Sequence, residues 1–91
     1  MSDNEGHLRG EVARGEQAAS LFRNEVYKET FDILRSRYTE ELLGSAASET
    51  EKRERLYHAI RALEHVEQHI ESVAKTGEMA QVQLNELYKR R

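Results

Sequence analysis

The sequence predicts an all-α protein folded as an antiparallel helical hairpin with coiled-coil-like packing. Three observations predict this fold. The 91 residues include no proline, the residue that most strongly interrupts helices. Apolar residues recur at helical spacing along most of the chain. A glycine and a short polar stretch near the middle provide one turn, and a short turn makes two consecutive helices antiparallel.

The N-terminal segment is poor in helix-forming residues. Residues 1–15 hold three of the five glycines, namely Gly6, Gly10 and Gly15. Each glycine costs a helix interior about 1 kcal/mol relative to alanine. We therefore predict a flexible or partner-ordered extension over residues 1–15.

A stripe of apolar residues at spacings of three and four predicts a first long helix over residues 16–44. The stripe moves sideways by one residue between Val26 and Tyr27, beside Asn24. Such a shift indicates a local bend or a change of packing partner. The stripe residues that we expect at an interface are Tyr27, Phe31, Leu34 and Tyr38.

Gly44 predicts the end of the first helix, and residues 45–50 are predicted to form the turn. A second helix is predicted over residues 51–91, because its apolar residues repeat every seven positions, as in a coiled coil. These seam residues are Leu56, Ala59, Leu63, Val66, Ile70 and Val73. Gly77 leaves two alternatives: the helix continues through it, or a short third helix spans Glu78 to Lys89.

A hairpin of two long helices has a single seam, so each helix leaves apolar surface uncovered. Self-association, or docking on a larger protein assembly, is the simplest way to bury that surface. The sequence therefore predicts a homo-oligomer or a component of a larger assembly, with the stripe and the seam as its contact residues.

The sequence offers little for a metal or catalytic centre. There is no cysteine. His65 and His69 have the i, i+4 spacing of zinc ligands, but Arg61 precedes them by one turn and no third ligand is specified, so they are weak candidates. General acid–base catalysis needs a pocket that shifts pKa values, and a two-helix protein provides none. We expect neither an enzyme nor a cofactor.

The formal net charge of −3 argues against broad binding to nucleic acid or to an anionic membrane. Lys89, Arg90 and Arg91 are nucleic-acid candidates only if oligomerisation gathers several copies, and a solvated helix end is the favoured interpretation. No apolar run approaches the roughly 20 residues of a membrane span. Met1–Gly10 lacks the apolar stretch of a secretory signal, so we expect a cytosolic protein of a cell or of a virus-infected cell.

Several stretches of the chain resemble short, mostly uncharacterised helical proteins of tailed bacteriophages, which are often encoded near head and DNA-packaging genes. These stretches are Arg14–Ala19, Glu29–Arg35, Arg53–Tyr57 and Thr76–Gln81. Such proteins often break the first helix with a proline near the position of Asn24, where this sequence has none. The resemblance carries over no catalytic residue. It implies a viral setting, in the host cytoplasm or the virion, and a role in virion assembly or DNA packaging.

The leading hypothesis is therefore a non-catalytic helical interaction or assembly protein that associates with itself. One alternative is a small nucleic-acid-binding packaging subunit that presents its basic ends around a ring. The other is a helical inhibitor or adaptor that places its apolar stripe in a groove of a host protein.

Overall fold

Three α-helices and no strand make up residues 3–90, the part of the chain that this computed structural model describes. Helix α1 spans Asp3–Arg23, α2 spans Glu25–Gly44 and α3 spans Thr50–Lys89. The all-α prediction is confirmed. The structure has three helices in place of the two long helices of the predicted hairpin, because the segment before the turn is divided in two.

Asn24 separates α1 from α2. Its backbone is extended, with φ −77° and ψ 121°, and its Oδ1 accepts a 2.9 Å hydrogen bond from the backbone N–H of Tyr27. Asparagine is among the most favourable N-cap residues because its side chain satisfies an amide that lacks a helical partner. The single helix predicted over residues 16–44 is therefore two helices, and the sideways shift of the apolar stripe lies at their boundary.

The N-terminal segment differs from the extension predicted for residues 1–15, because residues 3–15 form the first part of α1. Leu8 is only 3% exposed, and Val12 packs against the same apolar cluster. Burial of this kind commonly outweighs weak helix propensity, which is why the glycines did not prevent the helix. Residues 1–2 lie outside the described part of the chain.

Arg53 holds the turn between α2 and α3. Its Nη1 donates a 2.8 Å hydrogen bond to Ser45 Oγ and a 3.1 Å hydrogen bond to the carbonyl of Leu42. That carbonyl belongs to the last turn of α2, where carbonyls lack helical partners. Helix α3 begins at Thr50, the last residue of the turn predicted over 45–50.

Helix α3 is a continuous helix of 40 residues that passes through Gly77 without a break. Of the two alternatives for this glycine, the structure has the uninterrupted helix. The heptad register, which continues through Gly77 in the sequence, therefore continues along a single helix.

The helices pack into two compact units. Unit 1 combines α1 with α3 from His69 onward, and unit 2 combines α2 and the turn with α3 up to Gln68. Helices α1 and α2 therefore pack on different segments of α3, and the boundary between them lies at Asn24, where the apolar stripe shifts.

The core of unit 1 lies between α1 and the C-terminal half of α3. Leu8, Ala80 and Leu84 are 3%, 2% and 4% exposed, and Val12 and Leu87 pack against them. Because α1 pairs early residues with late residues of α3, the two segments run antiparallel.

The core of unit 2 is thinner. In α2 no residue is fully buried, and on the facing part of α3 only Leu56, at 8% exposed, is buried among the described hydrophobic residues of this unit. The other apolar residues that pack between α2 and α3 in this unit are half-buried. They are Tyr27, Phe31, Leu34, Tyr38, Leu42, Ala59, Ile60 and Leu63.

Candidate interaction surfaces

The helices of unit 1 cross in backbone contact at Gly15 and Gly77. A Cβ atom on either glycine would stand 2.7 Å from the Cα of the other, closer than such atoms approach in proteins. Neither glycine has a positive φ, so the requirement here is space and not an unusual backbone conformation. The glycines allow α1 and α3 to approach closely, and Ala18 of α1 and Ala80 of α3, three residues further along each helix, are also buried.

A polar cluster closes the other end of unit 1. Arg9 Nη2 donates a 3.2 Å hydrogen bond to Glu5 Oε1 and a 2.8 Å hydrogen bond to the Tyr88 hydroxyl. Glu5 is 1% exposed, so its carboxylate is removed from water and held by this network. Tyr88 foremost, and the charge of Glu5, raise the pKa of Arg9 above its usual value, so the guanidinium stays charged. This cluster fixes the register of α1 on α3.

A second polar contact lies within unit 2. Arg35 of α2 forms an ion pair with Glu67 of α3, and a further one with Asp32. Burial raises the pKa of the Tyr27 hydroxyl, and the negative charge of Glu67 adds to that effect. The ring of Tyr27 also contacts Phe31, with centroids 4.7 Å apart. The stripe residue Tyr27 therefore packs inside the unit instead of facing solvent.

The predicted interface residues are divided between the two units. In unit 2 most of them are among the half-buried apolar residues between α2 and α3, Leu56 is buried, and Val66 is 48% exposed. In unit 1, Ile70 and Val73 are half-buried. Most predicted contact residues are thus used within one chain, and other residues present the free apolar surface.

Large apolar side chains stand exposed on both units. In unit 2, Val26 is 69% and Ile33 54% exposed on one face of α2, seven residues apart. In unit 1, Met79 is 64% and Val82 60% exposed on α3, three residues apart. Residues three apart are neighbours on a helix surface, so Met79 and Val82 form a continuous apolar patch.

The sequence reasoning missed Met79 and Val82. Their signal was a second heptad line on α3, displaced from the first, in which Lys75, Met79, Val82 and Glu86 follow at spacings of four, three and four. The heptad line through Leu63 contains more apolar residues and predicts the helix by itself, so it obscures this second line.

The histidine candidates do not converge on a metal site. His65 and His69 are both exposed, and no cluster of three potential metal ligands occurs between residues 3 and 90. His69 borders a groove together with Glu11 and Arg14 of α1.

The basic C-terminal residues lie at the end of α3. Lys89 and Arg90 are exposed, and Arg91 lies outside the described residues. The backbone N–H of Arg90 bonds to the carbonyl of Glu86, so the terminus continues the helix axis. These cations suit a helix C-terminus, whose carbonyls carry partial negative charge.

Within residues 3–90, none of the helices combines the length and the apolarity that crossing a bilayer demands. Comparison with protein-family models, curated proteins and solved structures gives no match.

Proposed function

We propose that this chain is a non-catalytic interaction protein that associates with itself through exposed apolar helix faces. One observation supports the proposal above the others. Among the described residues, nine large hydrophobic side chains are exposed, whereas only five hydrophobic residues are buried. A core this small stabilises a lone chain weakly, and burial of the exposed side chains between copies would add to it.

The arrangement of the exposed residues also supports self-association. Single exposed hydrophobic residues are ordinary on protein surfaces, but contiguous apolar patches mark contact sites. Met79 and Val82 form such a patch, and both belong to a rigid helix whose opposite face is buried by α1. The helical backbone already holds both side chains on one surface, so association need not order the backbone as well.

The resemblance to tailed-phage proteins places this association in virion assembly or DNA packaging as the proposed setting. Adjacency of the gene to head and packaging genes would support that setting. A position among unrelated cellular genes would oppose it while leaving self-association untouched.

Thermal unfolding at several protein concentrations tests the proposed self-association. Association that occurs only in the folded state raises the melting temperature as concentration increases. We expect the helical circular dichroism signal to melt at a higher temperature over about a hundredfold rise in concentration. A melting temperature that is the same at every concentration would contradict the proposal.

A further inference from the structure

The exposed face of α3 in unit 1 carries apolar and charged residues in a symmetric order. Lys75, Met79, Val82 and Glu86 follow at spacings of four, three and four, which is the a/d pattern of a coiled coil. Met79 is 64% and Val82 60% exposed, so α1 leaves most of their surface open, although Val82 and Glu86 border a groove that Leu8 of α1 also lines. It lies roughly opposite the buried line through Ala80 and Leu84, as about 100° per residue requires.

The charges at the two ends of this line are opposite. Lys75 is 69% exposed on its side chain, and within residues 3–90 its ion-pair partner is Glu71 of the same helix, at 3.0 Å. Glu86 forms no ion pair with any residue in the described range. A line that begins with a cation and ends with an anion becomes complementary to itself when one copy is reversed.

We propose that two copies of this chain pair antiparallel through this face of α3. The two-fold axis crosses the helix at the level midway between positions 80 and 81. This inference rests on the proposed function. In the pairing, Met79 of each copy packs on Val82 of the other, and Lys75 of each copy meets Glu86 of the other. Each contact occurs twice, as an isologous two-fold interface requires. The apolar pair forms the centre, and the ion pairs flank it.

Charge selects the antiparallel arrangement over the parallel one. In a parallel pair, Lys75 would face its own copy and so would Glu86, giving two layers of like charge at core positions. Charged residues at such positions set register and orientation, because a mismatched layer is strongly unfavourable. The residues of this face are therefore complementary to the same face of a second copy.

The other exposed apolar residues support a pairing surface less well. On α2, Val26 and Ile33 are separated by the polar Thr30 and do not form a continuous patch.

Charge reversal in both members of the proposed pair gives a sharp test. Glu86→Lys creates two lysine–lysine layers in the dimer, and Lys75→Glu creates two glutamate–glutamate layers. Each single variant should weaken dimerisation about tenfold or more. The double variant Lys75→Glu/Glu86→Lys restores both pairs with exchanged signs and should return to within about threefold of the unaltered protein.

Mixing the two single variants should give a result that a folding defect in either variant could not produce. A heterodimer of Glu86→Lys with Lys75→Glu pairs lysines with glutamates in both layers. The mixture should therefore dimerise as well as the unaltered chain, although each component alone does not. Sedimentation equilibrium gives the masses, and circular dichroism confirms that each variant remains helical.

Matched controls separate this face from general charge effects. Glu40→Lys and Lys28→Glu make the same changes in net charge on exposed positions of α2 and should leave the mass unchanged. If the unaltered protein self-associates but Glu86→Lys and Lys75→Glu behave like these controls, the α3 pairing is overturned and the proposed function survives. If the unaltered protein never self-associates, both fail. A parallel dimer would show no loss in either single variant and would likewise overturn the inference.

Discussion

The Cα of Gly77 lies so close to Gly15 that a Cβ atom on Gly15 would stand 2.7 Å from it. At this point the backbones of α1 and α3 touch, and the cluster around Leu84 lies further along the same pair of helices. Position 77 therefore requires a glycine because α1 packs closely against it, and not because a helix ends there.

Gly15→Ala should destabilise the protein by about 1–2 kcal/mol. Forcing a methyl group into backbone contact costs about 1–3 kcal/mol, and the better helix propensity of alanine recovers part of it. Urea unfolding followed by circular dichroism measures the change. Gly77→Ala should act in the same direction, since its Cβ would stand 3.0 Å from the carbonyl of Glu11 as well.

Gly10→Ala is the matched control, because a Cβ there meets nothing within 4 Å. It should stabilise α1 by about 0.5–1 kcal/mol through helix propensity alone. If Gly10→Ala and Gly15→Ala shifted stability in the same favourable direction, the close crossing would be wrong.

Leu84→Ala should lower the free energy of unfolding by about 2–4 kcal/mol. Leu84 is 4% exposed in the apolar cluster of unit 1, so its loss leaves a cavity as well as removing buried area. Leu43→Ala is the same substitution at a side chain that is 80% exposed, and it should change stability by less than about 0.5 kcal/mol. Equal effects from the two substitutions would show that the core has been misplaced.

Arg53→Ala should destabilise the protein by about 1 kcal/mol. It removes the hydrogen bonds from the guanidinium to Ser45 Oγ and to the Leu42 carbonyl, which close the turn. Arg55→Ala, at an exposed position of the same helix, controls for loss of charge near the helix start. Chemical denaturation of both variants should separate them, and a neutral Arg53→Ala would mean that the turn forms without this side chain.

Stability should fall at alkaline pH because of Tyr27. Burial, with the charge of Glu67, raises the pKa of its hydroxyl in the folded chain, so folding favours the neutral form. The contribution is fully present below the unfolded pKa of about 10 and is lost as pH rises through the raised folded value. Tyr27→Phe should therefore lose less stability than the unaltered protein between about pH 9 and pH 11.

Glu67→Gln refines that test. It removes the smaller cause of the raised pKa, so the alkaline loss should shrink but not vanish. Parallel curves for the unaltered protein and Tyr27→Phe would contradict the placement of this hydroxyl.

The helical class and the turn could be predicted from the sequence because they depend on local patterns. Gly44 ends α2, and the heptad line through Leu56 and Leu63 lies on the buried side of α3. The sideways step of the stripe correctly marked a change near Asn24. It left open a bend or a change of packing partner, since both shift an apolar stripe in the same way, and the structure begins a new helix there.

Residues 3–15 could not be predicted in the same manner. Three glycines lower the local helix propensity, and nothing local shows that Gly15 faces Gly77, which is distant along the chain. The free surface was missed for a related reason. Two apolar lines run along α3, and only the fold decides that α1 covers the line through Ala80 and leaves Met79 exposed.

Absolute mass in solution tests the central claim of self-association most directly. Sedimentation equilibrium over a range of concentrations should give a mass that approaches a multiple of the 10.6 kDa chain, with the dimer as its first step. A folded, helical chain that sediments at 10.6 kDa at every concentration would contradict self-association.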